Sequence, residues 1–213
     1  PVPRRQPGRW PTLEHYLRVK LSVVDRTLAR AADMYRAGTA VPGDLDVGTF
    51  SRQLGMLEDL VSDTTGLRGS DESGRVVYGT SVPSGAQLSV ASRHFFAEAA
   101  GTDTMVLGLP LRSRVTGDWV MPAVRALRRA DGSFGGVVYM NIDLDAIGKV
   151  LRSASTTVDG TIALFDAERR IYFRHPEPPS RKDEQVIRFQ APETLHALAA
   201  GKTQAVYYTA QSS

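Results

Sequence analysis

The chain has 213 residues, 26 basic against 23 acidic side chains, and no cysteine. The missing cysteines exclude disulfides, thiolate catalysis and cysteine-based zinc sites, and no stretch approaches the roughly 20 apolar residues of a membrane span. The positive charges, nearly all arginine, are scattered among acids and form no stripe with interleaved aromatics, which argues against a nucleic-acid surface.

Residues 1–10 carry a basic cluster, Arg4-Arg5-Gln6-Pro7-Gly8-Arg9, beside Trp10, and read as a leader or juxtamembrane segment. From Pro11, the residues Leu17, Leu21, Val24, Leu28, Ala31 and Tyr35 recur in steps of four and three. That spacing predicts one long helix up to Gly38, which can line a domain core and also pair with a twin in a dimer. Ala40 to Asp44 is a loop. A second helix is expected with Thr49 as N-cap and Phe50, Leu54, Leu57, Leu60 and Val61 as its apolar face, ending near Gly66.

The period then changes. Leu67–Ser70, Asp71–Gly74 and Arg75–Tyr78 read as strand, turn, strand. Ser89–Ala100 reads as a short helix with Phe95 and Phe96, Met105–Leu111 as a strand, and Trp119–Leu127 as a strand in which Pro122 signals a bulge or an edge. Asp131-Gly132-Ser133 turns the chain into a central strand, Phe134 to Ile142. Its paired glycines, Gly135 and Gly136, signal a bulge or a close approach of another backbone or a ligand. A helix follows from Leu144 to about Ser153. After Asp159-Gly160 the pattern restarts with a hairpin, Thr161–Phe165 and Arg170–Phe173, in which Asp166 matches Asp71 and Arg170 matches Arg75 at an offset of 95 residues. This reads as a second, related sheet. It continues with a strand Gln185–Phe189, a helix Pro192–Ala199 and a strand Thr203–Tyr208, and lacks the final strand pair of the first.

No catalytic arrangement emerges. His15, His94, His175 and His196 lie on separate elements with no metal-binding spacing. There is no phosphate-binding glycine motif and no nucleophile elbow. Asp143 and Asp145 suit a helix start. The chain is therefore expected to be no enzyme and to need no cofactor or metal. A pocket is the remaining possibility. Trp119, Met121, Ala123 and Arg125 share one face of their strand, and Val137, Tyr139, Asn141 and Asp143 share one face of theirs. Mid-strand Arg125 and Asn141 are costly in a core unless satisfied. A small polar ligand between helix and sheet would satisfy them, and an arginine fork suits a carboxylate. The alternative is that both face solvent or pair with each other.

The run Arg93-His94-Phe95-Phe96, then Leu109-Pro110-Leu111, Gly117-Asp118-Trp119-Val120-Met121, Val124-Arg125 and Asp131-Gly132-Ser133-Phe134-Gly135-Gly136-Val137-Val138, resembles the double Cache sensor domain. So does Ile162-Ala163-Leu164-Phe165-Asp166 with Arg174-His175-Pro176. These are the PAS-like extracytoplasmic sensors of bacterial diguanylate cyclases, histidine kinases and chemoreceptors. The resemblance implies an α+β fold: a long N-terminal helix coming from a transmembrane segment, a membrane-distal PAS-like antiparallel module over 11–155 that binds the ligand, and a smaller, incomplete membrane-proximal module over 156–213. In the amino-acid-binding branch, an arginine, a tryptophan and a tyrosine on the pocket helix hold the ligand with an aspartate on the last strand. Here Arg93 and Phe96 fall at the arginine and the final aromatic, Phe95 replaces the tryptophan and Asn141 replaces the aspartate. An anionic or uncharged small molecule is thus expected in place of an amino acid.

The candidate ligand-binding set is Arg93, Phe95, Phe96, Trp119, Met121, Arg125, Tyr139 and Asn141. The expected setting is the periplasmic part of an inner-membrane receptor, a homodimer anchored by its full-length chain, signalling through the long helix without nucleic-acid partners. The rival expectation is a dimerisation or interaction module that binds no ligand.

Overall fold

A computed structural model of the chain describes residues 10–41, 43, 45–80, 88–154, 162–166, 168–175 and 182–190. The expected helix Pro192–Ala199 and strand Thr203–Tyr208 lie outside the described residues, as does the leader 1–9.

The long helix forms, as α1, Trp10–Gly38. Four residues of its heptad stripe face inside the molecule: Val24, Leu28, Ala31 and Tyr35 are buried against the sheet and the second helix. The second helix, α2, spans Val47–Glu58. It starts earlier than expected, because Asp46 and not Thr49 is the N-cap; the Asp46 carboxylate accepts from the Thr49 N–H at 2.7 Å. Phe50 and Leu54 are its buried anchors, and it ends at Glu58, well before Gly66.

Eight strands follow with two further helices: β1 Thr64–Ser70, β2 Val76–Tyr78, α3 His94–Ala100, β3 Val106–Leu107, β4 Leu111–Arg112, β5 Trp119–Arg128, β6 Phe134–Asp143, α4 Leu144–Ala154, β7 Ile162–Phe165 and β8 Ile171–His175. The first six form one antiparallel sheet of order β2-β1-β6-β5-β3, with β4 also on β5. The expected strand Met105–Leu111 is therefore two short ones. Pro122 is no edge residue. Its carbonyl accepts from Gly108 at 2.7 Å, between the β3 and β4 pairings. In a strand a residue's N and O point to the same side, so the missing N–H falls where the partner chain is broken.

Two cores lie on opposite faces of this sheet. On one, Met121, Ala123 and Leu127 of β5 and Val138, Met140 and Ile142 of β6 meet α1 and α2. On the other, Val120, Val124, Val137 and Tyr139 meet Phe95 and Ala99 of α3, with Val106 and Leu111. Each fully buried aliphatic side chain contributes on the order of 1.5–3 kcal/mol. Central β6 is hydrogen-bonded on both sides, and Gly136, at φ +126°, lets the Ser70 carbonyl of β1 come close.

The strands β7 and β8 form a separate two-stranded sheet whose Tyr172 and Phe173 pack into the α1-side core beside Ile147 and Leu151 of α4. Its turn repeats the first hairpin bond by bond. Asp71 accepts from the Arg75 N–H and Nε, and Asp166 accepts from the Arg170 N–H and Nε. A third segment then pairs in the same way. Val76 donates to Leu88 and Val90 to Gly74 in the first unit; Ile171 donates to Ile187 and Phe189 to Arg169 in the second. The offset-95 likeness read from sequence is thus the same hydrogen-bonded motif.

Candidate functional site

The alternation of β6 puts Tyr139 and Asn141 on the face away from α1. Each is buried, at 7% and 6% exposed. Across β1 the register sets Arg68 opposite Tyr139 and Thr65 opposite Asn141. Arg68 is itself only 4% exposed. Gly66, at φ +65°, makes room for its guanidinium: a Cβ there would sit 2.3 Å from Arg68 Nη1. A row of polar groups, Thr65, Asn141, Arg68 and Tyr139, thus lies on a face otherwise built of valines.

α3 packs over the Tyr139 end of this row. Phe95 lies with its ring centroid 6.1 Å from that of Tyr139, and Gly108 lets it seat against the β3–β4 connection. Phe96 turns away to an edge-on contact with Phe134, centroids 5.7 Å apart. Burial pushes the Tyr139 hydroxyl above its ordinary pKa; Arg68, which hydrogen-bonds it, and the charges of Arg93 and Arg114 pull the other way. Guanidinium groups thus face this hydroxyl, and such groups attract anions and electron-rich oxygen atoms.

Arg93 sits just before α3, with its side chain 10% exposed. Its Nη1 donates to Glu184 Oε2 at 3.0 Å. The other Glu184 oxygen accepts from the His94 N–H at 3.1 Å, and Glu184 N–H donates to the Pro110 carbonyl at 2.8 Å. Asp183 accepts from the Arg112 N–H at 3.0 Å and stands 3.8 Å from Arg93. The segment after the second hairpin thus closes over the rim of the first sheet.

The eight expected site residues do not converge. Arg93, Phe95, Tyr139 and Asn141 gather on the α3 face, with Phe96 at its margin. Trp119, Met121 and Arg125 belong to the opposite face. The β5–β6 register pairs Met121 with Ile142 and Arg125 with Val138, so odd-numbered residues of β5 lie opposite even-numbered residues of β6. Met121 is buried in the α1-side core. Trp119 packs at its border under the Arg112 guanidinium, 5.1 Å from the ring centroid. Arg125 reaches α1, donating to Asp25 at 2.6 Å and to the Asp103 carbonyl. Its partners are thus on the α1 side, and Asn141 is not among them. Sequence reasoning missed Arg68 and Glu184. Arg68 carried only a weak signal, a charged residue beside Leu67 in a short strand of small and polar residues. Glu184 carried none, because its partner is 91 residues away.

An open cleft of about 460 Å³ lies between α3, β3 and the second hairpin, lined by Glu98, Thr102, Thr104, Asp166, Arg170 and Tyr172 among others. Its polar groups already serve one another: Tyr172 donates to Asp166 at 3.1 Å, and Asp166 holds Arg170. Among the described residues no group of histidines and carboxylates could hold a metal ion, and no helix is long and apolar enough to cross a membrane.

No known family model matches the sequence, and no curated protein sequence does. Solved structures do. The ligand-binding domain of the Campylobacter jejuni chemoreceptor Tlp3, in complex with 4-methylisoleucine, aligns over 77% of this chain and 64% of its own, at 15% identity and a TM-score of 0.58. The extracellular domain of rpHK1S-Z16, assigned as a histidine kinase, aligns over 78% and 72%, at 23% identity and TM-score 0.58. The chain has the fold of these sensor domains. The ligand-binding domain of the Pseudomonas aeruginosa amino-acid chemoreceptor PctC, in complex with GABA, aligns over 78% and 70%, at 18% identity and TM-score 0.54. The chain spans less than two thirds of the Tlp3 domain. The α+β sensor fold expected from the double Cache resemblance is the one found, with the long first helix on one face of the antiparallel sheet.

Proposed function

We propose that the chain is the extracytoplasmic sensor of a bacterial signal-transduction receptor, of the diguanylate cyclase or histidine kinase type, that binds a small carboxylate on the α3 face of its first sheet. The observation that carries this reading is the buried row Arg68, Tyr139 and Asn141, with α3 packed over its Tyr139 end and Arg93 just before that helix. Arg68 hydrogen-bonds the Tyr139 hydroxyl, so the row stands as a preformed polar floor, and a ligand oxygen atom adds to it without leaving either group unserved. A planar carboxylate meets a guanidinium in matched, charge-assisted geometry. The ligands named for two of the neighbours, 4-methylisoleucine and GABA, both carry a carboxylate. Asn141 offers no negative charge to an ammonium group, which favours an organic acid over an amino acid.

In this reading residues 11–155 are the membrane-distal module, 156–213 belong to a membrane-proximal one, and the full-length protein is a membrane-anchored homodimer in which α1 carries the signal. The ligand shifts that equilibrium only by its difference in affinity between the two states. The test is a thermal-shift screen of small mono- and dicarboxylates. A binder raises the melting temperature of the wild type and fails to raise that of Arg93→Ala or Asn141→Ala, both of which keep native circular dichroism. Arg125→Met, on the other face, keeps the full shift. Equal shifts in all four proteins would place the site elsewhere.

A further inference from the structure

Glu184 is the one carboxylate among the described residues that meets Arg93 squarely, and it comes from the segment after the second hairpin. Its backbone sits at φ +52°, a region side chains other than glycine's rarely adopt. Such a conformation persists only where surrounding contacts hold it. Here they are the Arg93 guanidinium, the His94 N–H and the Pro110 carbonyl, with Asp183 on the Arg112 N–H beside them. All four contacts lie on the first sheet's unit, around the rim of the proposed site. The same segment pairs with the second hairpin through Ile187 and Phe189.

From these contacts, and resting on the ligand-site reading above, we propose that Glu184 is a built-in competitor. Its carboxylate occupies the arginine that a ligand carboxylate needs, and a bound ligand expels it and frees the Asp183–Glu184 strap from the first unit. Ligand binding at the first sheet is then read out as a change in how the second hairpin is held. The geometry supplies the exclusion. Glu184 stands 3.0 Å and Asp183 3.8 Å from the same Arg93 Nη1, so a ligand carboxylate that takes this nitrogen must displace them. The strap is short and is pinned at both of its acidic residues, and losing Arg93 removes one of the three bonds that hold Glu184 at the rim.

The experiment uses the 213-residue chain with acetate, propionate, lactate and succinate as probes, measured by calorimetry and by hydrogen exchange of residues 182–190. If the closed strap occupies about nine molecules in ten, Glu184→Gln binds the probe about tenfold more tightly than the wild type. Saturating probe raises exchange in 182–190 of the wild type to the level that Glu184→Gln shows without probe. Arg93→Gln shows that level of exchange and no binding. A probe that binds wild type and Glu184→Gln equally, with 182–190 still protected, overturns the competitor and leaves the ligand site standing. No binding of any probe to either protein overturns both readings.

Discussion

Replacing Gly136 by alanine adds a methyl group where the central strand has no room for one. A Cβ at this position would lie 2.0 Å from the Ser70 carbonyl oxygen and 2.7 Å from the Asp71 backbone, and φ is +126°. The obstacle is backbone, so no side chain can swing aside. Two costs add. The dihedral itself, in a region essentially reserved for glycine, costs about 1–3 kcal/mol. Moving β1 back to an ordinary contact distance breaks the local ladder, including the Ser70 Oγ to Val137 N–H bond at 3.2 Å, at about 0.5–1.5 kcal/mol for each bond lost. The sum is roughly 3–5 kcal/mol, a large share of the ~5–15 kcal/mol that holds a typical domain. Gly135→Ala is the control. Its Cβ would meet the ring and hydroxyl of Tyr35, at 2.3 Å from the oxygen, and its φ is not in the glycine region. Tyr35 can tilt at the expense of a weak 3.4 Å bond to the Gly135 carbonyl, for about 1–2 kcal/mol. Urea denaturation of both variants decides. Gly136→Ala within about 1 kcal/mol of wild type, or Gly135→Ala as the costlier of the two, would refute the close approach as the reason for the glycine pair.

Three further outcomes are expected. Arg169 holds φ +67° where its counterpart in the first turn is Gly74, at +82°, so Arg169→Gly relieves strain of about 1–2 kcal/mol. It loses part of that gain to chain entropy, and proteolysis of the second hairpin slows; no change in protection would show the turn unstrained. Asp25→Ala leaves Arg125, 19% exposed and with its Nε already lacking a partner, in place without its carboxylate. It therefore destabilises by about 1–2 kcal/mol, whereas Arg125→Met is nearly neutral in the same melt; equal losses would mean the pair stabilises as a unit. Burial pushes the hydroxyls of both Tyr78 and Tyr172 up to about 12. A raised phenol pKa gives stability that is complete below the unfolded value near 10 and drains away as pH climbs from about 10 to 12, by up to about 2–3 kcal/mol for each. Tyr78→Phe and Tyr172→Phe should each flatten the alkaline decline in urea midpoints, and an unchanged slope would show that other groups carry it.

How far the sequence foretold this depends on the range of the cause. The long helix, the central hairpin and the tight glycine pair follow from local spacing, and each formed. The cap of α2 was misplaced by three residues because Asp46 and Thr49 are both capping types, and only the folded chain shows which one has the free N–H to serve. The site was half legible for a different reason. Alternation within β5 and within β6 was read correctly, but the phase between them is set by the pairing register across the turn. One residue of slip exchanges the faces of a strand. That single parity sent Arg125, Met121 and Trp119 to the helix α1 side and left Tyr139 and Asn141 facing α3. Arg68 was brought to the site by a third strand and by a register shift between Thr65 and Arg68, which no period-2 count anticipates.

The division of the sheet into two unlike faces ties the fold to the proposed role. The α1 face is dry and continuous: α1, α2, β5, β6, α4 and Tyr172 and Phe173 of the second hairpin share one apolar core. Packed cores resist gradual deformation, so this face couples the long helix and the second hairpin as one body. The α3 face holds a smaller apolar core with a buried polar row beside it, and its links to the second unit include the charged contacts of Asp183 and Glu184. Contacts of that kind can be exchanged for a ligand's oxygen atoms at little net cost, because one charge-assisted bond replaces another. The two hairpins that begin the two units are built by the same Asp–Arg clamp and the same third-strand pairing. The segments beyond the hairpins differ. In the first unit, the chain runs into α3 and makes the site. In the second, the acids that precede the pairing segment reach back to that site. A repeated scaffold has thereby acquired a contact between its copies, placed where a ligand would act.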